Sequence, residues 1–280
     1  MQIPEMVRRL TYSSVACACI RGLGLRKLAQ SAYAGLRGNP GSLKLSLGDV
    51  EVSFAARTPH ELRCVEGTWF LEEKMLRGVL SGLRAGDAFL DAGSNLGLFS
   101  MFAAKAVGPE GTVVAFEPET VAYGRVSENI RINGFKNVQL FKMALSDERA
   151  KKKLVLGDPE SVMQSAHLAE GDGPSEIVES TEYDRLAQEK SLPSPRVVKM
   201  DIEGHEFAAL RGMQATLSNP HCIAFFGEVH PLGLPQGVRA ADVFGLIKSF
   251  GFGAIHSEER FEQIHVTATK DPGRLEGSSH

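Results

Sequence analysis

An apolar strand that ends on a carboxylate and turns on small residues into an apolar helix constrains this chain more than any other feature. Ala88-Phe-Leu-Asp91 runs into Ala92-Gly-Ser-Asn-Leu-Gly97, and Leu98-Phe99 follow at once. A strand–turn–helix unit of this kind is the ligand loop of a nucleotide-binding α/β fold. Two acids narrow the ligand: Asp91 stands just before the turn, and Glu117 ends the next strand, Thr112-Val-Val-Ala-Phe-Glu117. A dinucleotide site asks for Gly-x-Gly-x-x-Gly, with bare backbone amides facing a pyrophosphate. Here only Gly93 and Gly97 are present, and carboxylates beside the loop repel phosphate. The predicted ligand therefore carries no phosphate. S-adenosylmethionine fits: its ammonium and sulfonium are compatible with a nearby acid, its methionine end needs the bare backbone of Gly93, and its ribose diol offers two donors to Glu117.

The pattern along the chain places this loop in a repeating architecture. Near-helical spacing of Ile20, Leu25, Leu28, Ala32 and Leu36 predicts an amphipathic helix over about 15–36, with Arg21, Arg26 and Lys27 on a basic face that is solvated, packed on a partner or set against a membrane surface. Leu43–Leu47 and Val50–Phe54 alternate around Gly48-Asp49, which predicts a hairpin. From Thr68 the period lengthens into a helix through Leu83. Strand 88–91, helix 96–106, strand 112–117, helix 119–132 and strand 138–143 then give one nucleotide-binding half. Residues 144–195 are polar and broken, and are expected to form short strands and a lid over the cleft. Alternation returns with strand 197–200, helix 205–218, strand 222–226, helix 240–249, and strands 253–257 and 264–269 joined at Ser257-Glu-Glu-Arg260. The tail after Lys270 is expected to be disordered.

Charge and cysteines bound the partners. Residues 1–50 carry 7 Lys and Arg against 2 Asp and Glu, leaving 24 against 32 in the rest, so the acidic body argues against nucleic-acid binding. Cys17, Cys19, Cys64 and Cys222 lack metal-site spacing and read as reduced thiols of a reducing compartment. Arg8-Arg9 precedes a weakly apolar stretch interrupted by Tyr12, Ser13 and Ser14. No stretch approaches the roughly 20 apolar residues of a membrane span. The expected location is the cytoplasm, without integral membrane contact.

In doubly wound sheets the ligand lies beyond the carboxyl ends of the strands. Five such ends are acidic: Asp91, Glu117, Ala144-Leu-Ser-Asp147, Asp201-Ile-Glu-Gly-His-Glu206 and Glu228-Val-His230. One acid there is an ordinary helix cap; five in register mark a site. For a nucleophile that must shed a proton, the base candidates are Asp201, Glu203, His205, Glu228 and His230, with Asp201 and Glu228 first by position and His230 as a neutral-pH base if it faces the cleft. Such carboxylates with histidines also suit Mg²⁺ or another divalent ion, but no metal is assigned from sequence.

These residues resemble the FkbM-type methyltransferases, a branch of the class I S-adenosylmethionine-dependent enzymes. The likeness runs through Phe89–Gly97, Ala115-Phe-Glu-Pro118, Asn129-Ile-Arg-Ile-Asn-Gly134, Ala144–Asp147 and Lys199-Met-Asp-Ile-Glu-Gly-His-Glu206, covering residues 66–270 in order. It implies a doubly wound, seven-stranded, Rossmann-like α/β sheet, preceded by a helix-and-hairpin extension over 1–65 and followed by a tail over 271–280. The cofactor would meet Asp91, Ala92, Gly93, Ser94, Asn95 and Gly97 in the loop. Glu117 and Pro118 would take the ribose, and Ala144, Leu145 and Ser146 the adenine, with Asp201 also among the cofactor contacts; by their place at the strand ends, Asp201, Glu203, Glu228 and His230 form the expected catalytic set. It also implies methyl transfer to a hydroxyl of a saccharide or another natural product, with the extension shaping the acceptor side or a homodimer interface. One departure stands out: Thr181-Glu-Tyr-Asp184 holds one residue more than the family's usual Thr-Leu-Asp.

Three other readings remain at this stage: a nitrogen, lipid or protein acceptor; a noncatalytic S-adenosylmethionine-binding scaffold; and a nicotinamide oxidoreductase, disfavoured by Asp91 and the missing glycine. Replacing Asp91 by Ala is expected to abolish S-adenosylmethionine binding in a calorimetric titration, and unchanged affinity would refute this placement of the loop.

Overall fold

The computed structural model describes residues 41–157, 166–168, 173–260 and 262–271. The helix expected over 15–36 and the tail beyond 271 lie outside them. In the described part, strands β1 (Gly41–Leu47) and β2 (Val50–Ala56) form the hairpin, and helix α1 (Pro59–Ser81) follows. The core repeat then runs β3 (Ala88–Ala92), α2 (Leu98–Val107), β4 (Thr112–Phe116), α3 (Thr120–Asn133) and β5 (Val138–Phe141). Short strands β6 (Ala144–Leu145), β7 (Ala150–Val155), β8 (His167–Leu168) and β9 (Ser175–Thr181) come next, with helix α4 (Tyr183–Lys190). The chain ends with β10 (Val197–Met200), α5 (Glu206–Arg211), α6 (Gln214–Ser218), β11 (Ala224–Val229), α7 (Ala240–Ser249), β12 (Ala254–Arg260) and β13 (Gln263–Thr269).

Seven strands make one sheet in the order β12-β13-β11-β10-β3-β4-β5. β5, β4, β3, β10 and β11 are parallel, and β13 and β12 close the edge antiparallel. Strand alternation splits the apolar residues between two faces. Phe89, Val113, Val197 and Phe226 pack with α1, α2 and the hairpin; Leu90, Val114, Val198 and Phe225 face the opposite core with α4 to α7. β3 and β10 are sheet neighbours although more than a hundred residues apart in sequence, and the strand order reverses between them. That reversal opens the crevice in which such sheets bind ligands.

Helix α1 starts at Pro59, well before Thr68, because Thr58 and Glu61 form a reciprocal capping box. The boundary expected at 65/66 therefore falls inside a helix, and the hairpin's Leu45, Val52 and Phe54 share a core with Trp69 and Phe102. The single helix expected over 205–218 is two, because Asp184 accepts hydrogen bonds from Ala215 N (2.7 Å) and Thr216 N (3.0 Å) and caps a new start at α6. The longer Thr181–Asp184 segment thus serves the core, with Tyr183 buried in it. Strand β12 also runs through Ser257–Arg260, where a turn was expected, since each of these residues stays in register with β13.

Two asparagines join the hairpin to the main domain. Ser53 N donates to Asn133 Oδ1 and Ala55 N to Asn129 Oδ1, each at 2.8 Å, which satisfies the outer edge of β2. Asn129 Nδ2 donates in turn to Leu96 O at 2.8 Å, in the loop between β3 and α2. Asn129→Leu is expected to cost about 1–3 kcal/mol, because it strands a part-buried amide and a buried carbonyl. A urea unfolding midpoint measures this, and amide exchange at Ala55 should quicken in the same variant.

Candidate functional site

The β3–α2 loop takes its shape from three residues in left-handed conformation, Gly93 (φ 81°), Asn95 (φ 53°) and Gly97 (φ 84°). Gly93 must be glycine on packing as well: a Cβ there would lie 1.8 Å from Asp201 O. Gly93 N and Ser94 N both donate to Phe116 O at 3.0 and 2.9 Å, and Asn95 N donates to Glu117 Oε2 at 2.7 Å. The other carboxylate oxygen of Glu117 accepts from Glu119 N at 3.0 Å. Burial pushes the Glu117 carboxyl up to about 8 despite these two backbone donors. A cleft of about 700 Å³ opens here, between the loop and the second sheet, β6-β9-β7-β8. Glu117 and Pro118 line one flank, Met143, Ala144 and Leu145 the floor, and Leu154, Ala166 and Leu168 the roof.

Lys199 sits under the loop. Its Nζ donates to Gly93 O at 2.7 Å, lies 3.6 Å from Asp91 and 3.8 Å from Asp201, and stands over the Phe99 ring. Burial disfavours this ammonium, but Asp91, Asp201, Glu228 and Glu72 outweigh burial and hold its pKa above the ordinary lysine value. Asp91 is fully buried, with Ser100 Oγ donating to it at 2.5 Å.

Beyond Asp201 the acids crowd. Glu203 has a left-handed backbone (φ 54°), and Gly204 is pressed so close to Gly233 that a Cβ would lie 2.5 Å from the Gly233 carbonyl oxygen. This contact sets Glu203 beside His230, whose Nε2 lies 3.4 Å from Glu203, 3.7 Å from Asp201 and 4.0 Å from Glu228. The ring's Nδ1 meets Glu206 Oε1 at 2.7 Å, and Gly204 N also donates to that oxygen, at 2.8 Å. Burial and then the charge of Asp201 raise Glu203 and Glu72 to about 7 and Glu228 to about 9. Burial disfavours charge on His230, but the Glu206 hydrogen bond and the surrounding acids raise it to about 9. Burial lowers His265 to about 4, so its Nε2, 3.2 Å from Glu228, brings no positive charge. One cleft thus has an apolar slot with a carboxylate at its flank, a bare-backbone turn in the middle and an acidic far end.

The family model of the methyltransferase FkbM domain matches residues 91–253, more than half of the chain. The chain belongs to the FkbM methyltransferase family. Its curated relatives include the hexuronic acid methyltransferase AglP of Haloferax volcanii, 28% identical over 205 residues that make up 70% of this chain and 78% of AglP. Methyltransferase 1 of Beauveria bassiana is 24% identical over 147 residues, 45% of this chain and 59% of the relative. Among solved structures, a SAM-dependent methyltransferase from Agrobacterium tumefaciens is 12% identical with a TM-score of 0.45, over 82% of this chain and 70% of that one.

Of the residues expected to hold a cofactor in this FkbM-family chain, Gly93, Asn95, Glu117, Pro118, Ala144, Leu145 and Asp201 line the cleft. Asp91, Ala92, Ser94, Gly97 and Ser146 are buried behind its wall. Asp91 meets Ser100 and Lys199 in this structure, so its charge supports the loop from beneath and does not face the cleft. Asp201 and Glu203 line the acidic end, while Glu228 and His230 are buried beside them. Despite burial, the Glu206 hydrogen bond and the acids around His230 raise its pKa to about 9, which favours the protonated ring over the neutral form that a general base needs. Trp69 is a core residue stacked on Phe102. Two residues went unassigned in sequence. Lys199 carries a signal, a lone charge inside an otherwise apolar buried strand; Glu206 carries none, since helix first turns are often acidic.

Glu117 predicts a pH effect. Its carboxyl ionises near 4.5 unfolded and near 8 folded, so the folded state alone keeps the proton between those values. Stability of the ligand-free protein is expected to fall as pH rises from about 5 to 8, by about 1.4 kcal/mol per pH unit from this group. Thermal melts across that window should show a shallower decline for Glu117→Gln, and parallel curves would assign the slope elsewhere.

Proposed function

We propose that this chain is an S-adenosylmethionine-dependent O-methyltransferase that moves a methyl group to a hydroxyl of a saccharide or a similar polyhydroxylated natural product. The observation that carries the reading is the two-ended cleft, with Glu117 and an apolar slot at one end, Asp201 and Glu203 at the other, and Gly93 between them. The residues fit the cofactor: the slot of Ala144, Leu145, Leu154 and Leu168 suits adenine, Glu117 suits a ribose diol, and the glycine turn leaves bare backbone for the methionine end. When bound there, the cofactor supplies an electrophilic methyl group on sulfur.

The chain's own residues do the rest. Asp201 and Glu203 are pure acceptors when ionised, and so bind hydroxyl donors, orient them and take the proton an alcohol must lose. Holding the acceptor in line and dry is worth up to about 7–11 kcal/mol of the barrier. A saccharide acceptor is supported by the likeness to a hexuronic acid methyltransferase. Excess negative charge at the acidic end favours an amine acceptor as the second reading. Among the described residues, no helix is long and apolar enough to cross a membrane. Cys64 and Cys222 are free and buried, which supports a cytoplasmic location.

Calorimetric titration with S-adenosylmethionine and, separately, with NAD⁺ tests the cofactor; micromolar binding of the first alone is expected, and failure to bind it moves the reading to a noncatalytic scaffold. Glu203→Gln should retain that binding and lower kcat on an accepted polyol by about 10²–10⁴-fold. An unaffected kcat would transfer the proton-accepting role to Asp201.

A further inference from the structure

The geometry points to a divalent-cation site of the Mg²⁺ or Mn²⁺ type at the acidic end of the cleft, held by Asp201, Glu203 and His230. Only the nature of what the ion would hold, two neighbouring oxygens of the acceptor, rests on the function proposed above. One donor atom from each residue lies within 4.8 Å of the others. Ligands about 2.1 Å from such an ion stand about 3 Å apart in cis and about 4.2 Å in trans, so small side-chain shifts close the set. Two hard carboxylate oxygens suit Mg²⁺ or Mn²⁺, and the imidazole nitrogen tilts the set toward the transition ion, Mn²⁺.

Independent features point the same way. Asp201 Oδ1 is sealed from solvent and has no hydrogen-bond partner among the described residues, although it lies 3.7 Å from His230 Nε2. Glu228 is only 4% exposed and directs Oε2 to within 4.0 Å of that same nitrogen, while its Oε1 meets His265 Nε2 at 3.2 Å. His230 is oriented for ligation: the buried Glu206 grips Nδ1 and turns Nε2 toward the acids, an acid–histidine–metal arrangement. Asp201 and Glu203 line the cleft, which leaves the remaining coordination positions open to an acceptor. Two rearrangements accompany binding: the Gln263 amide nitrogen, 3.0 Å from Nε2, moves aside, and the ring proton leaves as the ion arrives. A vicinal diol, or a hydroxyl beside a carbonyl or carboxylate, could bridge the open positions, and ion-bound hydroxyls are more acidic than free ones.

The test uses the full chain, stripped with a chelator and titrated with Mn²⁺ alone while electron paramagnetic resonance reports the free ion. One equivalent bound at sub-millimolar concentration is expected, with spin-echo modulation from a coordinated imidazole nitrogen. Asp201→Asn should weaken binding by at least about tenfold, and His230→Gln should remove the nitrogen modulation. Absence of stoichiometric binding to the unmodified chain overturns the site whatever the variants do, and so does binding that Asp201→Asn leaves unchanged. Calorimetry of the metal-free chain with S-adenosylmethionine separates the two readings. Cofactor binding without Mn²⁺ binding removes the ion and keeps the function, and the reverse result keeps the ion and removes the function.

Discussion

One buried ammonium holds the centre of this molecule together. Lys199 reaches from the middle of the sheet to the Gly93 carbonyl, Asp91 and Asp201, and so ties the glycine turn to the ends of β3 and β10. Removing one partner of a buried charge set is strongly destabilising, because the charges left behind have neither water nor a counter-ion. Asp91 would be such a remnant: it is wholly enclosed, and Ser100 is its one hydrogen-bond donor among the described residues. The lysine adds to the backbone ladder that already brings the turn to Asp201, where Asp201 N donates to Ala92 O at 3.0 Å.

Around that centre the fold gathers more carboxylates than Lys199 and His230 can balance. Parallel strands end side by side, with Asp201 just past β10 and Glu228 near the end of β11. The Gly204–Gly233 contact adds Glu203 to them. Ionising all of these acids in a half-dry cleft works against folding, which is why Glu72, Glu203 and Glu228 keep their protons to higher pH. Stability given up at a site is the usual companion of function. Hydroxyl donors or a cation would offset the mutual repulsion of these acids.

Much of this architecture was legible in the sequence because it rests on local rules. Alternation at Leu43–Leu47 and Val50–Phe54 marked the hairpin, and the apolar runs at 88–91, 112–117 and 197–200 marked buried strands. What escaped depends on contacts distant along the chain. The start of α6 is written by Asp184, thirty residues earlier, and β12 extends through a charged stretch because β13 offers it a ladder. The same holds within the site. Strand ends announced Asp201 and Glu228, whereas the protonation of His230 depends on Glu206 and on a glycine contact that no spacing reveals.

Asn129 gives the molecule a property that neither the sheet nor the cleft has alone. Its amide accepts from the hairpin at Ala55 and donates to the ligand loop at Leu96, so these two pieces of backbone are separated by a single side chain. Linkage is reciprocal, so any coupling that this amide carries between the hairpin and the β3–α2 loop acts equally in both directions. The hairpin begins at Gly41, directly after residues 1–40 in the sequence. The first described strands are thus already wired, through one amide, to the turn that follows β3.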